Sequence, residues 1–243
     1  MAAKALSAMV CACVASGAIA VVACSSGSST GVGTGGEGGA GSGDGGADAP
    51  LACPPQPLDE WVAPSYRPAQ ARQALACSAL LIQDFYASCL GPNATNDGCN
   101  QNWGAGEDLA HQTCQNCLVT QSSATAWGPL VNYGTTVSVN VAGCIELLDP
   151  TQASCAASVQ AADVCQHTAC DTACPVDPAD PTSFGKWQAC VGATAQGECN
   201  PYLVSAECAA SEDAGPAAAC VDGKTFADDF LAIATVFCGS ATD

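Results

Sequence analysis

The sequence predicts a mainly α, disulfide-rich, helical bundle-like domain with one small β-hairpin, preceded by a signal peptide and a disordered linker. Three observations predict it. Apolar residues recur every three or four positions in several stretches between Pro68 and Cys238, the period of a helix with one buried face. Only Thr136–Val141 alternates with period two and is β-branched, which marks a strand. Of 19 cysteines, sixteen fall between Cys53 and Cys238, an even set that suits a disulfide framework in an oxidising compartment.

The first element is an export signal over residues 1–23. Lys4 is its one cation, Ala5 to Ala23 is apolar, and small residues lead to Cys24, as in a secretory signal. Val21-Val22-Ala23-Cys24 reads as a lipobox with Cys24 the lipidated residue, so the membrane is a partner through the N-terminal lipid. The apolar length also permits a transmembrane anchor, since about 20 residues span a bilayer. Either way the rest of the chain is exported. Ser25 to Pro50 holds eleven glycines in 26 positions and cannot bury a core. Residues 24–50 are therefore the lipidated cysteine and a flexible tether, with a reach of about 28 Å.

Residues 51–243 form the exported domain, with possible sub-lobes 51–125 and 126–243. A helix is predicted from Pro68 to Leu90, with Pro68 in its first turn and Gly91-Pro92 ending it. A polar loop holding Asn93, Asn96, Asp97, Gly98 and Asn100 follows. A second helix runs from Glu107 to about Gln121, its acidic first turn matching the helix dipole. The hairpin pairs about Trp127–Val131 with Thr135–Val141 through Asn132-Tyr133-Gly134. Thr151 to Cys174 is helical, residues 175–183 form a Pro/Asp-rich loop, and Phe184, Trp187 and Val191 start a short helix. In the last helix Thr225 and Asp228 make a cap, and Phe226, Phe230, Ile233 and Phe237 form one stripe that anchors the core.

Apolar residues are 49% of the chain but aromatics only 5%. Small Ala and Cys side chains bury little area each, so disulfides are expected to supply stability. The set is Cys53, Cys77, Cys89, Cys99, Cys114, Cys117, Cys144, Cys155, Cys165, Cys170, Cys174, Cys190, Cys199, Cys208, Cys220 and Cys238. A cut in the 175–183 loop leaves eleven before it and five after. Both counts are odd, so at least one bridge crosses the loop and ties it into one body.

Without Lys4 the chain has four cations, Arg67, Arg72, Lys186 and Lys224, against 23 acids. Such a surface repels nucleic acid. No catalytic motif stands out. Cys114-Gln-Asn-Cys117 is the single CxxC, inside a predicted helix with no βαβ pattern around it. Its spacing puts both sulfurs on one face, suited to bridging neighbouring elements rather than redox work. His111 shares that face, so His111, Cys114 and Cys117 are the metal candidates, but a fourth ligand is missing and export favours oxidised thiols. No cofactor is indicated. His167 reads as a partly exposed helix residue. A Ser-His-Asp arrangement would have to use His111 or His167, and nothing points to one.

The lipobox, the Gly/Ser/Asp tether and the Ala- and Cys-rich domain resemble the uncharacterised cysteine-rich lipoproteins of myxobacteria. Cys114–Cys117, Ala126-Trp127-Gly128-Pro129-Leu130, Val139–Cys144 and Cys165–Cys170 carry the likeness. It implies location and architecture without an activity. The expected function is a membrane-anchored extracytoplasmic lipoprotein, a non-catalytic binding or structural module of the envelope with an unknown protein or ligand partner. Ser25 after Cys24 favours the outer membrane over the inner if the enterobacterial sorting rule holds. The alternative is a thiol-disulfide redox or metal-handling protein using Cys114, Cys117 and His111.

Overall fold

The computed structural model describes residues 53–104, 107–177 and 179–239, with the side chains of 211–214 left aside. Apart from a two-residue antiparallel pairing of Val14–Ala15 with Ala18–Ile19, the signal peptide, Cys24 and the tether lie outside the described residues. The described chain is mainly helical. Its eight α-helices are α1 (Ala79–Phe85), α2 (Asn96–Trp103), α3 (Leu109–Leu118), α4 (Val141–Leu148), α5 (Ala153–Cys170), α6 (Ser183–Thr194), α7 (Asn200–Ala206) and α8 (Phe226–Cys238). A small sheet adds β1 (Val119–Gln121), β2 (Leu130–Asn132) and β3 (Val137–Val139). Among the described residues no helix is long and apolar enough to cross a membrane.

Residues 68–78, expected as helix, are instead an extended strap. Their N–H groups are spent on other elements: Gln70 donates to Trp127 O at 2.8 Å, Gln73 to Phe237 O at 2.8 Å and Cys77 to Cys238 O at 2.9 Å. Leu75, counted in the apolar face, is 78% exposed with φ of 69°. Tertiary hydrogen bonds here override local helical spacing. The helix begins only after Ser78, whose side chain accepts from the Leu81 N–H, and its last turn widens into a π turn over Tyr86–Leu90.

The expected polar loop contains α2. Thr95 caps it by accepting from the Gly98 N–H at 3.0 Å, and Cys99 and Trp103, four residues apart, are its buried face. Cys99 bridges to Cys89, while Trp103 donates from Nε1 to Asp84 Oδ2 at 3.0 Å and stands edge-on to Phe85. A buried tryptophan, a bridged cysteine and a cap outweigh five polar residues.

The predicted hairpin forms as antiparallel β2 and β3, with Val131 opposite Ser138. Gly134 supplies its turn at φ of 104°, a left-handed value that a side chain would disfavour. A third strand joins in parallel: Val119–Gln121, expected at the end of a helix, pairs with Leu130–Asn132. Asn140 then caps α4, a helix the sequence pattern does not predict, by accepting from the Gly143 N–H at 2.8 Å.

Strand β3 separates two environments because its side chains alternate. Val137 and Val139 face the larger apolar cluster, whereas Thr136 and Ser138 meet polar side chains of α5. The larger cluster packs Phe85, Trp103, Phe226, Phe230 and Phe237 with Ile82, Leu118, Ile145 and Ile233. The smaller one contains Leu58, Ala169, Val176 and Trp187 beside Cys165, Cys170, Cys174, Cys190 and Cys199. Stripe residues Phe226, Phe230, Ile233 and Phe237 are all buried on α8, behind the predicted Thr225 cap, which accepts from the Asp228 N–H at 3.2 Å.

Eight cysteine pairs are bridged among the described residues. Those within the N-terminal half are Cys77–Cys114 and Cys89–Cys99. Cys53–Cys174 and Cys117–Cys238 span residue 125. Cys144–Cys220, Cys155–Cys208, Cys165–Cys199 and Cys170–Cys190 complete the set. Five bridges therefore cross the 175–183 loop where parity required at least one.

Candidate functional site

The residues singled out by sequence are dispersed into structural roles. Cys114 and Cys117 are not bonded to each other. Cys114 joins α3 to Cys77 ahead of α1, and Cys117 joins it to the end of α8. Both sulfurs are buried, and a bridged sulfur offers no thiolate to a metal or a substrate. His111 lies on the same helix, its Nδ1 3.0 Å from Asp108 Oδ1 and its ring edge against Trp103. The His111 backbone N–H, followed by its ring, holds the Asp108 carboxyl below its ordinary range. Among the described residues no group of three or more His, Cys, Asp or Glu side chains is placed to hold a metal ion.

The concentrated polar chemistry lies instead between β3 and α5. His167, expected to be partly exposed, is 2% exposed, because the helix face that carries it turns toward the sheet. Its ring stacks on Tyr133 with centroids 3.7 Å apart and planes 8° from parallel. Nδ1 lies 3.0 Å from Asp171 Oδ2 and 3.1 Å from Thr136 Oγ1. A carboxylate can only accept, so the Nδ1 hydrogen points to Asp171. Nε2 is buried without a hydrogen bond and faces Asp163 Oδ1 at 3.7 Å.

Both carboxylates are held in turn. Asp163 accepts from the Tyr133 hydroxyl at 2.7 Å and the Ser138 hydroxyl at 2.7 Å. Asp171 accepts from Trp187 Nε1 at 2.8 Å. Burial, then the Asp163 charge, pushes the Tyr133 phenol well above its ordinary range, so it remains a donor. The layer thereby links the sheet to Trp187 of the smaller cluster.

Hydroxyl, imidazole and carboxylate are all present, but their order does not make a nucleophile. Acyl transfer needs the hydroxyl on one imidazole nitrogen and the carboxylate on the other. Here Thr136 and Asp171 share Nδ1, and Ser138 donates to Asp163 rather than to the ring. Thr136, His167 and Ser138 are 0%, 2% and 4% exposed, which bars a substrate from the hydroxyls. The arrangement fixes the orientation of the sheet on α5. Its signal in the sequence was the spacing Asp163, His167, Asp171, four residues apart on one helix face, and Thr136 with Ser138 on one strand face.

A similar pair of contacts fastens the strap. The Gln160 side chain accepts from the Arg67 N–H at 2.7 Å and donates to Arg67 O at 2.9 Å. Glu146 accepts from the Tyr66 hydroxyl at 2.9 Å and the Ala69 N–H at 2.7 Å. The Arg67 guanidinium lies over the Trp127 ring, 5.6 Å from its centroid, and donates to Ser122 O and Ala124 O. One of the four cations after the signal is thus used to hold the fold.

The fold and these contacts define a disulfide-bridged, mainly helical protein with a small mixed sheet. Comparison with protein-family models, with curated proteins and with solved structures gives no match.

Proposed function

We propose that the chain is a non-catalytic binding or structural module of a bacterial cell envelope, held at a membrane through a lipid on Cys24. The observation that carries this reading is the set of eight bridges among the described residues, linking every cysteine from Cys53 to Cys238. Disulfides in this number suit an oxidising, extracytoplasmic compartment. The polar layer around His167 supports a non-catalytic role, since its groups are oriented toward one another and its hydroxyls Thr136 and Ser138 and the His167 ring are buried. A lipid on Cys24 would leave the tether to hold the domain clear of headgroups. Ser25 favours the outer membrane as its place.

Two measurements on the full chain test the reading. Cells producing it are fed an alkyne fatty acid, and label is expected on the chain and lost in Cys24→Ala. Absence of label on the parent, or its persistence in the variant, refutes lipid anchoring at Cys24. Alkylation of the denatured, unreduced chain is expected to leave Cys53 to Cys238 unmodified. Label at Cys114 and Cys117 would instead favour the redox or metal-handling alternative.

A further inference from the structure

The smaller apolar region carries a cleft at its surface. Leu58 to Trp61 forms a turn closed by the Trp61 N–H on Leu58 O at 2.9 Å, with Glu60 at its third position at φ of 59°. Glycine or asparagine is the usual resident of that left-handed position, and Glu is held there against its preference. The turn places Glu60 on a cleft of about 220 Å³ whose other lining residues are Leu58, Trp61, Glu198, Pro201 and Tyr202. Trp61 and Tyr202 stand at 86° with ring centroids 5.0 Å apart.

We infer that this cleft recognises an alkylammonium group, which gives the binding module of the proposed function a ligand chemistry and rests on that reading. Aromatic faces attract a cation through their quadrupole, and two carboxylates beside them reject anions while adding attraction. Among the described residues neither Glu60 nor Glu198 takes part in an ion pair, so their charge is available to a partner. The formal net charge of −18 draws cations toward the surface as a whole. Size narrows the ligand. Pockets for drug-sized molecules run from about 300 to 1,000 Å³, so this one suits a single head group. A neighbouring cleft of about 310 Å³ shares Glu198 and is lined also by Pro55 and Pro57. A free quaternary amine and a lysine side chain both present this chemistry.

Of the four tryptophans only Trp61 is not buried, so intrinsic fluorescence reports on the cleft. The full oxidised chain, in detergent, is titrated with choline, with the peptide acetyl-Gly-Lys-Gly-amide and with 3,3-dimethylbutanol, the neutral carbon counterpart of choline. A saturable change with either cation and none with the alcohol is expected. Response to choline alone assigns a free amine, and response to the peptide alone assigns a lysine side chain. Calorimetry on Glu60→Gln and Glu198→Gln is expected to show about tenfold weaker binding in each. No saturable response to either cation, an equal response to the alcohol, or unchanged affinity in both variants overturns the inference. A cooperative thermal unfolding transition like the parent's establishes that the variants are folded. The fatty-acid labelling and the alkylation of the parent do not depend on this titration, so its failure leaves the anchored-module reading to be judged separately.

Discussion

The two apolar regions reach the same degree of burial by different chemistry. In the larger, five buried aromatic rings, three of them the phenylalanines of α8, pack with several branched aliphatics, and the bridges are additions to an adequate core. In the smaller, five of nine buried residues are cysteines, and Trp187 is the only aromatic side chain fully inside. The four other buried residues, Leu58, Ala169, Val176 and Trp187, cannot offset the entropy of ordering α5, α6, α7 and the Leu58 turn. Covalent links do so by restricting the unfolded chain. Sequences rich in Ala and Cys can therefore hold an ordered region where hydrophobic burial is thin.

The largest expected loss is in the larger region. Phe230 is fully buried between Phe85, Tyr86 and Phe226, so Phe230→Ala should cost about 3–5 kcal/mol in denaturant unfolding under oxidising conditions. A loss below about 1 kcal/mol would mean that bridges dominate there too.

The polar layer between the regions comes next. Tyr133→Phe removes one of the two hydroxyls on Asp163 and leaves a partly buried carboxylate oxygen unpaired, which should cost about 1–3 kcal/mol. Equal stability of variant and parent would show that the layer contributes little to joining sheet and helix.

Asp229 at the start of α8 gives a pH-dependent test. Burial, then the neighbouring Asp228 charge, raises its carboxyl from 3.8 to about 6, against the helix dipole, which favours the charged form. The folded state thus binds the proton more tightly than the unfolded one. Asp229 stabilises the fold below pH 3.8, and that contribution is lost as pH rises through about 6. Asp229→Asn should be more stable than the parent at pH 7, with the advantage shrinking toward pH 4 in thermal scans. The gain is expected to be modest because the carboxyl is only partly buried. An advantage that does not vary with pH would refute the burial argument.

The smallest effect lies in the small region. Glu60→Gly relieves the left-handed strain at φ of 59° and should stabilise by up to about 1 kcal/mol while weakening cation binding. Lower stability in the variant would show that the Glu60 side chain itself holds the turn.

The same contrast explains what the sequence made legible. The α8 cap and stripe, the hairpin turn and the bridge across the Pro/Asp loop could be read because each depends on near neighbours or on a parity rule. Residues 68–78 could not, since their backbone partners lie on Trp127, Phe237 and Cys238, remote in sequence. Helix α2 is masked by a polar composition that overshadows Thr95, Cys99 and Trp103, and β1 is masked because its partner is another strand rather than its own periodicity. His167 shows the limit for a candidate site. The helix spacing of Asp163, His167 and Asp171 was visible, but the sheet face that buries them was not. The CxxC spacing puts both sulfurs on one helix face, yet only the fold shows Cys77 and Cys238 opposite them.

The division of labour between sulfur and apolar burial is tested most directly by hydrogen exchange on two double variants. Cys170→Ala with Cys190→Ala opens a bridge of sequence separation 20, and Cys89→Ala with Cys99→Ala one of separation 10. Their loop entropies both amount to ~3 kcal/mol, so what distinguishes them is the packing around each. In the first, residues 165–203 are expected to lose protection while α8 keeps it; in the second, α1 and α8 should remain protected. Retained protection of 165–203 in the first variant, or simultaneous loss across both regions, would contradict the account.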